Sequence, residues 1–268
     1  MMMKKAALTG LALTLLAVLA CKPKTEGAQP GMTIKPGVLM VGAEVGYPPM
    51  EYFDEDGKTP IGFDIELAGA LAKKLGLQVE IVDTSWDAIF AGVDTGKYDC
   101  IISSVTINPE RQQKYFFPGA YISNAQAIVL PQGSSRTPGG MEELAGLKIA
   151  VQGETTSDEI MSELIAGGLE VELFRYDKVM NCFDELRSGR VDGVVCDSVV
   201  AYYYRANPNY TVNIVWEGAG EELGVCINKN NTALSKAVEE ALDALFADGT
   251  VQGISQKIFG KDLVSSVR

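Results

Sequence analysis

The sequence predicts two α/β lobes, each a mixed, mostly parallel sheet flanked by helices, with the chain crossing twice between them. Three observations carry this expectation. From residue 38 onward, short β-rich runs alternate with helical patterns, the arrangement of parallel strands with helices on both faces. The alternation comes in two series, separated by a turn-rich surface stretch at 131–140 (PQGSSRTPGG). A last strand and two helices, within 223–259, need not belong to the second series. A chain that enters a second lobe and then returns accounts for them.

The first strand falls at 38–43 (VLMVGA), bounded by Gly37 and by Gly46-Tyr47-Pro48-Pro49. In 63–75 (FDIELAGALAKKL), Ile65, Leu67, Ala68, Leu71, Ala72 and Leu75 share one helical stripe, and Gly76 supplies the stop. A strand at 78–82, a helix at 86–93 and a strand at 98–103 complete the first series. The second series reads strand 148–151, helix 157–165, strand 171–174, helix 178–187, strand 191–196 and helix 198–205. Strand 223–228 and helices 232–246 and 251–259 close the chain. Crossings near 121–126 and 216–222 assign 37–123 and 220–268 to lobe one, and 124–219 to lobe two.

Composition narrows the chemistry. The 268 residues are 47% hydrophobic and 22% charged, ordinary values for a globular protein. The length accommodates two modest lobes with separate cores. A formal charge of −12 repels phosphate backbones, so nucleic acid is not an expected partner. There is no histidine. This excludes Ser-His-Asp and Cys-His nucleophilic machinery and all His-containing metal sites. No catalytic residue, metal ligand or cofactor is assigned, and a monomer is expected.

The N-terminus reads as an export signal. Lys4 and Lys5 precede an apolar run of fifteen residues, 6–20, too short for a comfortable membrane span. The run ends in Leu-Ala-Val-Leu-Ala-Cys21, which looks like a bacterial lipobox. Residues 1–21 are therefore read as a lipoprotein signal with Cys21 lipidated, and 22–36 as a flexible polar tether. This places the protein in the periplasm or at the cell surface, anchored to a bacterial membrane. Cys100, Cys182, Cys196 and Cys226 lack CxxC spacing and read as small buried apolar side chains.

Ligands of open α/β sheets bind beyond the carboxyl ends of strands, so the segments after Ala43, Ser103, Val151 and Cys196 carry the candidate site. Ser103, Ser104 and Thr106 bring hydroxyls and free N–H groups to a strand end. Arg111 follows on a short helical turn, where its fork is able to grip both oxygens of a carboxylate. Thr156 leads into the helix at 157–165, whose N-terminus favours an anion, although such a residue alone is more often a cap. Asp197 ends a buried strand. It needs a cation or donor there, or serves as the cap of the helix that follows.

Several of these segments resemble one family. Gly62-Phe-Asp-Ile-Glu-Leu-Ala68, followed by Ala-Lys-Lys-Leu-Gly76, is similar to the signature of the family 3 extracellular solute-binding proteins, the polar amino-acid-binding proteins of ABC importers. The resemblance continues through Tyr47-Pro-Pro-Met-Glu51, Trp86-Asp87, Gly96-Lys-Tyr-Asp99, the 103–111 segment, 192–197 and the C-terminal Asp248-Gly-Thr250 and Ile258-Phe-Gly260. It implies a two-lobed periplasmic-binding-protein fold of type II, closing by a hinge on an amino acid handed to a transmembrane permease.

The resemblance also implies roles. Arg111 would hold the ligand α-carboxylate, helped by the backbone at Thr106 and Thr156. Asp197, the Thr106 hydroxyl and the Ser104 carbonyl would receive the ammonium, with Ser103 beside them. Tyr47 and Trp86 would sandwich the ligand side chain. Glu44, three residues before Tyr47, matches the acidic position of arginine binders, and a carboxylate there is able to pair a guanidinium. A rim carboxylate facing solvent is the competing reading. Arginine or another basic amino acid is favoured, with glutamine next, and a dehydratase on the same scaffold is the alternative activity. Glu154 departs from the family, which usually has Gly there, and is expected to face solvent or a basic ligand group.

Overall fold

The computed structural model describes residues 31–268. Residues 1–30, with the expected signal, Cys21 and most of the expected tether, lie outside the described residues. In chain order the first lobe comprises β1 (Val38–Ala43), the hairpin strands β2 (Tyr52–Phe53) and β3 (Pro60–Ile61), α1 (Phe63–Lys74), β4 (Gln78–Asp83), α2 (Trp86–Asp94), β5 (Cys100–Ile101), α3 (Pro109–Lys114) and β6 (Tyr115–Phe116). The second comprises β7 (Ala120–Pro131), β8 (Lys148–Gln152), α4 (Thr156–Ala166), β9 (Glu172–Tyr176), α5 (Val179–Arg187), β10 (Gly193–Asp197), α6 (Ser198–Ala206) and β11 (Val212–Gly224). The chain then returns as β12 (Cys226–Asn228), α7 (Thr232–Ala247) and α8 (Thr250–Phe259). Among the described residues, no helix is long and apolar enough to cross a membrane.

Each lobe is built on a five-stranded sheet, in the orders β4-β1-β5-β12-β6 and β11-β7-β10-β8-β9. In the first, β4, β1 and β5 are parallel, and β12 alone runs against its neighbours. In the second, β9, β8 and β10 are parallel, and β7 is the reversed strand. Both lobes thus share one winding: the first strand of each parallel set lies between the second and the third. The strand order reverses there, and loops leaving the first and third strands splay apart into a crevice.

The strands alternate between two packed layers. In β8 and β10, Ile149, Val151 and Val195 face Met161 of α4, while Ala150, Val194 and Cys196 face the layer of α5 and α6. In that layer the rings of Phe183 and Tyr204 stack at 3.6 Å. In lobe one, Leu39 and Val41 pack with Phe63, Leu67 and Leu71 of α1 and Leu234, Val238 and Leu242 of α7. Ile89 and Val93 of α2 cover the opposite face together with Ile101 and Tyr98. The four cysteines of the described residues are buried free thiols, as their apolar contexts predict.

The two sequence segments around Pro49 and Gly62 prove to be one structural joint. Phe63 N–H donates to Pro49 O (3.1 Å) and Asp64 N–H to Met50 O (2.9 Å), which ties the start of α1 to the loop after β1. Gly62 approaches so closely that a Cβ on it would stand 2.2 Å from Met50 O, and its φ is 125°.

Four features differ from the sequence reading. The crossings expected at 121–126 and 216–222 lie inside long antiparallel strands, β7 and β11, paired from Val212–Pro131 to Gly224–Ala120. Polar Ser123, Asn124 and Gln126 break the apolar pattern and hide the strand. Three register shifts let the ribbon bend as it passes between lobes. The strand read at 98–103 shrinks to Cys100–Ile101, because the Tyr98 ring is packed against Gly42 and Gly92 and the Asp99 carboxylate accepts from Met40 N–H and Ile34 N–H. The strand read at 223–228 is divided between the end of β11 and β12. Residues 32–36, assigned to the tether, are part of lobe one: Met32 is buried, and Asn231 donates to its carbonyl.

Substituting Gly62 by Ala adds backbone strain to a steric clash at this joint. The G62A variant is expected to lose at least about 1–3 kcal/mol of stability, seen as a lower urea midpoint at unchanged m-value; a midpoint equal to wild type would contradict the joint.

Candidate functional site

Twelve residues line a cavity of about 320 Å³ between the lobes: Glu44, Tyr47, Glu51, Trp86, Ser103, Ser104, Thr106, Arg111, Gln152, Thr155, Thr156 and Asp197. Nearly all come from the ends of the first and third parallel strands of each lobe. Glu44, Tyr47 and Glu51 follow β1; Ser103, Ser104, Thr106 and Arg111 follow β5; Gln152, Thr155 and Thr156 follow β8; Asp197 ends β10. Trp86 opens α2 behind β4. All nine ligand-binding candidates read from the sequence are brought together here, and three further residues join them.

Arg111 is 7% exposed. One guanidinium N–H donates to Thr106 O at 3.1 Å, and the group lies 5.7 Å from the Trp86 ring and 5.3 Å from the Phe90 ring. Burial lowers its affinity for the proton, yet a guanidinium remains charged. Among the ion pairs of the described residues none involves Arg111. Asp197 faces it from lobe two. Although it stands at the head of α6, its side chain makes no capping bond. Instead it accepts from the Tyr47 hydroxyl (2.8 Å), Asn124 Nδ2 (2.8 Å) and Gln126 Nε2 (3.1 Å). Burial raises its pKa, and these donors and Arg111 pull it back down. The result is a buried cation and a buried anion, each stabilised by dipoles and neither closed by a direct partner.

Thr155 caps α4 through Asp158 N–H, leaving Thr156 as the first helical residue. Its Oγ1 accepts from Gln126 Nε2 at 3.2 Å. The free N–H groups of that helix start therefore lie beside Thr156 at the cavity wall.

Glu44 is 3% exposed, and Gln152 Nε2 donates to its Oε2 at 2.7 Å from the other lobe. Burial pushes its pKa up to about 7, with Asp83 and Asp87 adding to the rise and Gln152 and Lys178 opposing it. Glu44 is thus a wall residue and not a solvated rim residue. The Trp86 indole N–H crosses the cleft to Glu154 O at 2.9 Å. Glu154 itself is exposed, and its φ of 61° is the left-handed conformation in which Gly is the more comfortable residue.

Glu51, which the Tyr47–Glu51 motif alone does not mark as a site residue, belongs to the cavity floor. Gln152 lies at the end of an apolar run, where the next side chain in the alternation turns toward the cleft. Thr155 shares the hydroxyl cluster from which the sequence reading singled out Thr156.

Residues 39–261 match the profile of the bacterial extracellular solute-binding proteins, family 3, and the chain belongs to this family. The L-cystine-binding protein TcyJ of Escherichia coli (strain K12) is 36% identical over 229 residues, covering 85% of this chain and 84% of that protein. An ancestral arginine-binding protein bound to arginine superposes with a TM-score of 0.79 at 39% identity, covering 83% of this chain and 98% of the other. The ancestral amino acid-binding protein AncCDT-1, a precursor of cyclohexadienyl dehydratase, gives 0.77 at 36% identity, covering 83% and 96%.

The Glu44 shift has a stability consequence. In the unfolded chain the carboxyl ionises near 4.5, and in the folded protein near about 7. Below the lower value it is neutral in both states and has no effect. Between the two values the unfolded chain releases the proton first, so folding is penalised, by at most about 3 kcal/mol above the upper one. Urea midpoints of wild type and Glu44→Gln should therefore converge near about pH 4 and separate in favour of the variant near about pH 8; parallel curves would exclude a buried, strained carboxylate.

Proposed function

We propose that this protein binds an L-amino acid between its lobes and presents it to the permease of an ABC importer. The observation that carries the reading is the pair Arg111 and Asp197, opposite charges that enter one cavity from different lobes with no ion-pair partner of their own. A zwitterion completes both. Its α-carboxylate meets the Arg111 fork and the α4 N-terminus, and its ammonium meets Asp197, Thr106 and the Ser104 carbonyl. Dehydrating two charges is tolerated only when each finds such a partner. Ligand-bridged lobes are the expected hinge-closed state.

Beyond this clamp, the cavity is walled by Tyr47, Trp86, Gln152 and Glu44. A buried carboxylate in a cavity shared with two aromatic rings favours a ligand carrying a second cation, so arginine or another basic amino acid is the proposed substrate. A guanidinium would pull Glu44 into its ionised form and repay the desolvation that its raised pKa reflects. The cystine-binding relative supports a neighbouring option, since cystine also carries a second ammonium group. The protein is further proposed to be a monomer held to a bacterial membrane through lipid on Cys21.

A second reading is an enzyme of the cyclohexadienyl or arogenate dehydratase type, and the raised pKa of Glu44 favours it, because a general acid near neutrality is what such chemistry needs. The intact clamp for an α-ammonium supports an amino-acid ligand over a keto acid such as prephenate.

Calorimetric titration of unfolded and refolded protein with the twenty amino acids and cystine tests the proposal. Tight binding of arginine or lysine is expected. Arg111→Ala should lose roughly 3–5 kcal/mol, more than a hundredfold in affinity, and Glu44→Gln should weaken arginine while sparing glutamine. Arginine binding unchanged in Glu44→Gln would remove the basic preference, and formation of product from prephenate or arogenate would establish the enzyme reading.

A further inference from the structure

Beneath the cavity lies an acidic pair that the clamp does not use. Glu51 and Asp64 are 1% and 0% exposed, and their carboxyls are within hydrogen-bonding reach of each other. Each has one oxygen fully engaged. Glu51 Oε1 accepts from the Ser103 hydroxyl at 2.6 Å, and that hydroxyl accepts from Glu44 N–H at 3.0 Å. Asp64 Oδ2 accepts from Ser104 N–H at 2.7 Å and from the Tyr121 hydroxyl at 3.0 Å. The other two oxygens, Glu51 Oε2 and Asp64 Oδ1, are buried without a donor.

The charged and titratable surroundings offer no remedy for two ionised groups. Facing the pair are Glu44 and Tyr47 from the loop after β1 and Tyr121 from β7, and no lysine or arginine is among the groups acting most strongly on either carboxyl. Two carboxylates in contact without a cation do not both ionise. A proton between the orphaned oxygens satisfies both at once.

We infer that Glu51 and Asp64 hold one proton between them, Glu51 Oε2 donating it to Asp64 Oδ1, and that the pair positions Ser103 and Ser104 on the ligand side of the floor. Ser104 stands at φ 51°, a conformation that needs outside support in a residue with a Cβ. Asp64 provides it by taking the Ser104 N–H, which anchors the backbone just before the Ser104 carbonyl. Keeping the pair at one negative charge also keeps Glu44 from facing two more carboxylates. Burial and the neighbouring Asp64 push the Glu51 carboxyl well above its ordinary range; burial also raises Asp64, to about 7, but its bonds from Ser104 and Tyr121 oppose the rise and make it the more readily ionised member. Glu51 and Asp64 are thus positioning residues, and the inference rests on the amino-acid-binding reading of the cavity only for its effect on affinity.

Infrared spectra of the ligand-free protein at neutral pH test the proton directly. Wild type should show a protonated-carboxyl C=O band that Glu51→Gln removes, with Glu44→Gln recorded alongside to subtract that residue. In titrations with arginine, Glu51→Ala should weaken binding by roughly tenfold or more, and Glu51→Gln should recover most of the loss because its amide donates to Asp64 without a titrating proton. Wild-type affinity should also fall toward alkaline pH by a component that Glu51→Gln lacks. Two results would overturn the inference: a band unaffected by Glu51→Gln, or Glu51→Gln binding as weakly as Glu51→Ala when both melt like wild type. Should Glu51→Ala fail to fold, the band and the pH profile of Glu51→Gln decide. If no amino acid binds wild type, the functional reading fails while the band still reports on the proton.

Discussion

Asp64 sits in the first turn of α1, where free helix N–H groups would welcome a carboxylate, yet it turns one oxygen, Oδ2, toward Ser104 and Tyr121. Three parts of the molecule meet at that side chain: the helix that roofs lobe one, the loop that floors the cavity, and the strand that leaves for lobe two. The glycine before Phe63 permits the approach, since any side chain there would strike Met50 O. A fully buried acid is costly to place, and here it fixes the relation between the core, the cavity and the crossing strands. The shape of the cleft follows from that relation.

Charge in the cleft is arranged by the same economy. The chain is acidic throughout, with a formal charge of −12, but its cavity holds a buried arginine flanked by rings and by a carbonyl instead of by a carboxylate. An internal ion pair would have silenced Arg111. Asp197 is likewise held by a phenol and two amides, which orient it and leave room for a cation. Each group is stabilised enough to remain folded in place and is left electrically incomplete.

Much of this was readable in the sequence. The alternation of β-rich and helical runs gave the two parallel cores, and strand ends followed by Glu44, Ser103, Thr156 and Asp197 marked the cleft. The pairing of β7 with β11 was not readable, because Ser123, Asn124 and Gln126 interrupt the apolar pattern where the strand passes the cavity. The polarity of Asn124 and Gln126 reflects bonds to Asp197, Thr156 and Ser157, a tertiary fact with no local signature. Glu51 and Gln152 were missed for a related reason. Their roles depend on Asp64 and Glu44, which are 13 and 108 positions away along the chain, and no spacing rule joins them. The packing of 32–36 on lobe one was hidden by the polar composition upstream of it.

Of the contacts that span the cleft, the one from Trp86 to Glu154 differs in kind, because its acceptor is a main-chain carbonyl. Such a contact does not read the side chain at 154. Replacements at this exposed position can therefore accumulate without loosening the grip between lobes, so long as the left-handed backbone is kept. The acidic side chain at 154 is thus a surface charge set apart from the contact that joins the lobes, and changing its sign would alter the field outside the cleft without touching the inner geometry.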